Sequence, residues 1–360
     1  MKLNDKLRVV VLCMLAGSAY AAYKVQTAPE MVRAANNLIV TLSPEQKAKL
    51  KYDDFNSPER TNFHFTPGPW NGVSRKGLPL KEMRPEQTKL AHALLATGVS
   101  QAGYIKATTI MSLEQILKDR EAGGRGNLVR DPDGYFFSVF GEPSETGTWG
   151  FKVEGHHVAL NFTISNGKVI AHNPAFMGAD PAEVKEGPRV GLRVLGREED
   201  IARQLVTSLD AQQKSVAVVT ATPRDILTGE NVLIDMIPNF DINKPTGIAA
   251  SKLTAKQVET LNALIEEYAY RMPIELADVT MSEIKKPNLN NVYFTWAGGL
   301  NRGDLHYYRV HGPSFLIEFN NTQGGGNHVH SVWRDLKNDF GRDLLKEHLK
   351  TAHANGIVSR

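Results

Sequence analysis

The chain of 360 residues contains a single cysteine, Cys13. That excludes a disulfide framework, a thiolate zinc site and a Cys-x-x-Cys redox pair, so the core must hold by packing alone, which a chain of this length can do. Charge of one sign is also missing. The 42 Lys and Arg are balanced by 39 Asp and Glu and spread along the chain, so no basic cluster offers the phosphate contacts that a nucleic acid requires. There is no apolar run of the ~20 residues that cross a bilayer. Catalytic motifs are scarce: no Gly-x-Ser-x-Gly elbow or His-Glu-x-x-His is present, and the Gly-rich loop at Gly123 lacks the Lys-Ser/Thr of a phosphate-binding loop. Nucleophilic serine or cysteine chemistry is thereby not expected.

What is present begins with an export signal. Lys2, Lys6 and Arg8 form a positive start, residues 9–16 are apolar but short, and Ala19-Tyr20-Ala21 offers small residues at the cleavage positions. Cleavage after Ala21 is expected, giving a periplasmic or secreted protein. Lipid modification of Cys13 is disfavoured, because bulky Leu12 precedes it. Loss of residues 1–21 removes the only thiol and leaves a net charge of about +1, so neither a membrane nor an electrostatic partner is expected for the mature chain.

Residues 22–360 read as one unit made of two similar halves, about 30–190 and 197–360. Residues 77–111 align without a gap on residues 247–281. Tyr135-Phe136-Phe137 matches Tyr293-Phe294-Thr295, the stretch from Trp149 matches that from His306, and the segment ending at Lys47 resembles the one ending at Lys214. Each half reads helix, helix, then antiparallel strands: an α+β fold of two internally duplicated halves sharing one core. Ser43, Pro44 and Gln46 mark a helix start, as do Thr254 and Gln257. Val258, Leu261, Ile265 and Tyr268 then repeat on one helical face. A last helix is expected after an N-cap at Asp339, with Leu344, Leu345, His348 and Leu349 on one side. In the strands, Val158, Leu160 and Phe162 share one face, as do Phe315, Ile317 and Phe319, and that face is expected to be buried.

The opposite strand face carries the chemistry. Asn166-Gly167 is a two-residue hairpin turn, which pairs Ser165 with Lys168 and, counting back, Asn161 with His172; His157, Asn161 and His172 would then sit together. In the second half, Gln323-Gly324-Gly325-Gly326 is read as a three-residue loop, pairing Asn320 with His328 and Glu318 with His330. The alternative register would drag two imidazoles against Phe319 and Ile317. Glu318, His328 and His330 thus form two imidazoles and a carboxylate on one side of a hairpin, the ligand set of a facial iron triad or an open zinc site, with His157 and His172 as further ligands. Adjacent His156 and His157 point to opposite faces of a regular strand, and His157 is the functional choice. Arg334, Asp335 and His311 flank the site as candidate catalytic groups. Arg334 either clamps a substrate carboxylate or phosphate or pairs with Asp335 or Asp339. His348 is read as a core residue, whereas the pattern assigns no role to His64, His92 and His353.

At Gly155-His156-His157-Val158, Ile317-Glu318-Phe319, and the stretch from Asn327 through Trp333-Arg334-Asp335 to Asn338-Asp339-Phe340-Gly341, the chain resembles a family of mostly bacterial proteins catalogued as domain of unknown function 3500. The resemblance covers nearly all of the mature chain and implies a single family-length unit, without implying an activity. The residues themselves point to an exported metal-dependent enzyme, with zinc, copper or iron at a His/Glu site and a small-molecule substrate; hydrolysis is slightly favoured. A copper or iron oxidoreductase and a non-catalytic small-ligand or metal-binding module are the alternatives. N-terminal sequencing of the exported protein is expected to begin near Ala22; an intact Met1 in the exported fraction refutes the signal.

Overall fold

The computed structural model describes residues 27–68, 75–121, 130–230, 244–286 and 289–342. The signal segment, the Gly123 loop and the expected last helix with His348 and His353 lie outside the described residues. The fold is mixed α and β. Among the described residues there are eight helices: α1 (Thr27–Ile39), α2 (Pro44–Leu50), α3 (Pro85–Gly98), α4 (Gln101–Arg120), α5 (Gly196–Ser208), α6 (Ala211–Ala217), α7 (Ala255–Ala269) and α8 (Ile274–Lys285). They start where the capping residues fall. Ser43 Oγ accepts from the Gln46 backbone N–H while Gln46 Oε1 accepts from Ser43 N–H, and Thr254 and Gln257 form the same reciprocal pair at α7.

The strands form one sheet in the order β1 (Lys51–Tyr52), β3 (Phe136–Phe140), β4 (Thr148–Gly155), β5 (Val158–Ser165), β7 (Ala175–Ala179), β13 (His328–Asp335), β12 (Phe315–Gln323), β11 (His306–His311), β10 (Tyr293–Gly298) and β8 (Val218–Val219). The short β2 (Leu78–Pro79), β6 (Lys168–Ala171) and β9 (Ile248–Ala249) branch from this path. The halves meet at the antiparallel pair β7 and β13. Ladder registers on the two sides correspond once Phe137 is set against Phe294, one residue away from the sequence alignment of Phe137 with Thr295. Lys51 runs parallel to Val139 as Val218 does to Trp296; Leu78 faces Phe137 as Ile248 faces Phe294; Glu154 faces Ala159 as His311 faces Leu316. The helix connections match too, since Gln87 Nε2 donates to Thr41 O and Gln257 Nε2 to Ser208 O.

One sheet face and all eight helices share the main core, which contains Val158, Leu160, Phe162, Phe315, Ile317 and Phe319 as the alternation requires. The other face is buried as well. There a smaller cluster of Phe63, Phe65, Ala159, Phe176, Ile226, Val332 and Phe340 lies beneath two crossing segments, residues 58–66 and 223–230, held by buried charges on the strands. Glu59 Oε1 accepts from Lys152 Nζ at 2.8 Å, and Arg334 Nη1 donates to Thr228 O at 3.1 Å.

The first turn of α4 lies close against the end of α7. Ser100 N–H donates to Arg271 O, and a Cβ on Gly103 would stand 2.1 Å from that same oxygen. In an open helix Gly→Ala gains about 1 kcal/mol. Here the contact reverses the sign: Gly103→Ala is expected to destabilise by about 1–3 kcal/mol, read from the urea midpoint.

Candidate metal centre

Gly155 pairs with Val158, so His156 and His157 form the two-residue turn of the β4–β5 hairpin and do not alternate along a strand. His157 has φ 64°, in the left-handed region. Its backbone is pinned on both sides: its N–H donates to Phe65 O at 2.9 Å, and its carbonyl accepts from Gly178 N–H at 2.8 Å. Only glycine fits at position 178, because a Cβ there would lie 2.7 Å from Val329 O and 2.9 Å from His157 Cδ2.

In the second hairpin Asn320 pairs with His330 and Gln323 with His328, with a bulge between, while Glu318 faces Val332. The register is thus two residues from the expected one. A shift of two preserves the face, so His328 and His330 do lie opposite Phe319, on the Glu318 side. Because β7 runs beside β13, with Gly178 facing His330, the His157 turn comes to the same place.

There three imidazole nitrogens converge. Nε2 of His328 lies 2.9 Å from Nε2 of His157 and 3.1 Å from Nε2 of His330, and the last pair is 3.3 Å apart. These three histidines form a group able to hold a metal ion. Zinc at ~2.0–2.1 Å from each nitrogen in a tetrahedral site sets the nitrogens about 3.3 Å apart. Carboxylates stand behind two of the rings. Asp225 Oδ1 is 2.6 Å from His330 Nδ1, and Asp180 Oδ2, whose partner oxygen is held by Arg120, is 3.6 Å from His328 Nδ1. The edges of Phe65 and Phe176 close off His330. The His156 ring lies against His157, with centroids 3.7 Å apart, and is bonded to Glu114.

Burial, reinforced by the neighbouring imidazoles, holds His157 far below the usual histidine range and takes His328 down to about 4. Both rings are neutral near pH 7, the state in which imidazole binds metals. Burial works to raise the Asp225 carboxyl, but its bond to His330 outweighs this and holds it below its ordinary value. Glu114 is pushed up to about 8 by burial.

The other expected ligands and catalytic groups are not brought to this cluster. Glu318 is fully buried and already saturated: it accepts from Leu227 N–H, Thr228 N–H, Thr228 Oγ1–H and Tyr307 O–H. His172 does not pair with Asn161. A bulge pairs Ile164 with Val169 but Thr163 with Ala171, and that single extra residue turns His172 to another environment, where its Nε2 meets Thr280 Oγ1 at 3.2 Å. His172, Ser314, Trp333 and Asp335 line a separate cleft of about 1340 Å³. Arg334 is fully buried and is bonded to Asp339 and Thr228 O, which realises the ion-pair reading in place of a substrate clamp. Asp339 spends its other oxygen on Asp335 N–H. Asp335 accepts from Lys337 and Asn338 N–H, and His311 is buried on β11 opposite Leu316.

The sequence model of a family described as "protein of unknown function (DUF3500)" matches residues 24–342. The chain belongs to this family. No curated protein matches it, and no solved structure does. No described helix is long and apolar enough to cross a membrane. Asp225, Asp180 and Gly178, which shape the DUF3500 chain's histidine cluster, escape sequence reasoning. They sit in loops or at a strand end, remote in sequence from the rings they meet, and carry no periodic signal.

His172 permits a test of its new position. Burial takes it from an ordinary 6.5 to about 4, so between these values the unfolded chain binds more protons than the folded one, and stability falls as pH drops through that window. His157 and His328 act in the same direction, so the comparison must be differential: His172→Asn is expected to lose less stability than the wild type between pH 7 and pH ~4.5 in urea titrations.

Proposed function

We propose that the chain is an exported, metal-dependent hydrolase that holds one divalent ion on the Nε2 atoms of His157, His328 and His330. The observation that carries this reading is the convergence of three imidazole nitrogens within 3.3 Å, with a carboxylate bonded to the far nitrogen of one of them. Three protein nitrogens and an open position are the donor set of catalytic zinc, which lowers the pKa of its bound water to ~7. The chain's own residues do the rest. Asp225 fixes the His330 ring, and Phe65 and Phe176 exclude water from one side of it. His328, whose side chain is 19% exposed against 6% for His330, marks the side from which a small-molecule substrate reaches the ion. The matching ladder registers support reading the halves as copies of one unit, with the ion held where they join.

Imidazole also suits copper and iron, so metal identity separates hydrolysis from redox chemistry. Protein recovered from the exported fraction is expected to contain about one zinc per chain, and to cleave ester or phosphoester test substrates only when loaded. His330→Ala and His157→Ala should each lose the metal, whereas His172→Ala should keep it. Copper or iron in place of zinc moves the reading to an oxidoreductase; zinc without turnover moves it to a binding module; equal metal in wild type and His330→Ala overturns the site.

A further inference from the structure

The histidine cluster rests on a segment that belongs to neither of its hairpins. Residues 223–230 cross the polar face of the sheet and are fastened along their length. Pro223 O accepts from Asn320 Nδ2, Asp225 Oδ2 from Gln323 Nε2, and Leu227 N–H and Thr228 N–H donate to the buried Glu318 carboxylate. At its start the segment touches one candidate ligand directly, through Asp225 Oδ1 and His330 Nδ1. At its end it reaches another at one remove. Glu230 Oε1 accepts from Phe65 N–H at 2.5 Å and Thr66 N–H at 2.6 Å, and Phe65 O in turn accepts from His157 N–H. His330 comes from the second half and His157 from the first, so one short crossing segment sets the positions of ligands from both.

A carboxylate can only accept a hydrogen bond, so Asp225 selects the neutral His330 tautomer with its proton on Nδ1, the one whose Nε2 is a bare lone pair. We infer that residues 223–230 form a positioning clasp, with Asp225 orienting His330 and Glu230 seating the Phe65–His157 contact, so that metal occupancy and closure of this segment stabilise each other. The inference rests on the metal reading and extends it to how the site is assembled. By linkage, whatever the clasp adds to metal affinity, the metal returns as protection of the clasp. Asp180 is the contrasting case. It stands 3.6 Å from His328 Nδ1 and is held by Arg120, so it contributes less.

The test uses the full mature chain and zinc as the probe, titrated against a chromophoric chelator. Asp225→Ala is expected to weaken zinc binding about 10- to 100-fold, the usual range for loss of such an outer partner. Asp225→Asn, which still accepts from Nδ1–H, should recover part of that loss, and Asp180→Ala should fall short of it. A merely structural role is separated by hydrogen exchange: zinc should slow the Ile226, Leu227 and Thr228 amides in the wild type and fail to do so in Asp225→Ala. The wild-type exchange measurement stands even if Asp225→Ala does not fold. Zinc bound by Asp225→Ala as tightly as by the wild type, or wild-type clasp amides indifferent to zinc, overturns the clasp and leaves the metal site standing. No zinc uptake by the wild type overturns both.

Discussion

Lys152, Glu318 and Arg334 point from the strands into a layer that water does not reach, each at most 1% exposed. A buried charge left without partners costs several kcal/mol; Glu154, Tyr307 and Asp339 supply part of what these three need, and segments that cross the face supply the rest. Residues 58–66 bring the carbonyls of Glu59 and Asn62 and the Glu59 carboxylate to Lys152. Residues 223–230 bring amides to Glu318 and a carbonyl to Arg334. The two segments are tied to each other by Glu230, and the phenylalanines between them fill what remains. The histidine cluster lies at the edge of this layer, and its geometry follows from the same requirement: segments drawn in to satisfy strand charges carry Phe65, Asp225 and Glu230 to the imidazoles.

The matched ladders do not produce two equivalent sites. The candidate ligands are drawn from both halves, because β7 and β13 join at the centre and bring the β4–β5 turn of one half to the β12–β13 hairpin of the other. Residues at matching ladder positions differ. His157 corresponds to Ser314, which lines the separate cleft. Asn161, whose amide donates to Pro174 O, corresponds to Glu318, which holds the clasp. The pairing at Lys152 and Asn161 recurs at Arg309 and Glu318 with a different charge pattern. Similar ladder registers with different side chains leave three imidazoles at one place and a separate cleft at another.

Much of this plan is written in local pattern. The strand faces follow from the period of two, the helix starts at Ser43 and Thr254 from their capping partners, and the Ser165–Lys168 pairing from Asn166-Gly167. What local pattern lacks is the count of residues inserted between strands. In the β12–β13 hairpin the departure is even, so His328 and His330 keep the expected face. In the β5–β6 hairpin the one-residue bulge is odd, and it removes His172 from the group. Glu318 misleads for a different reason: a carboxylate on the same face as two histidines has the right chemistry, but its oxygens are consumed by a segment some ninety residues earlier in the chain. Asp225 is reached by the same long crossing, which no short-range spacing encodes.

The protons of the cluster bear on what can occupy it. Asp225 selects the neutral His330 tautomer with its proton on Nδ1, in which Nε2 offers a lone pair to its two neighbours. Adding a proton between the rings puts a positive charge into a buried site, and burial opposes this: His328 falls to about 4 and His157 lower still. Placing the proton of neutral His328 on Nε2 would satisfy one neighbour, but it turns a bare Nδ1 toward the Asp180 carboxylate, lone pair against anion. It also leaves the third nitrogen without a donor. Each of these two arrangements therefore meets either a desolvation cost or an unsatisfied nitrogen. A divalent ion also brings charge into this buried site, but it bonds all three lone pairs at once, and the Asp225 and Asp180 carboxylates behind the rings offset part of that charge. The three rings could hold such an ion, and Asp225, bonded behind His330, turns that ring's Nε2 inward.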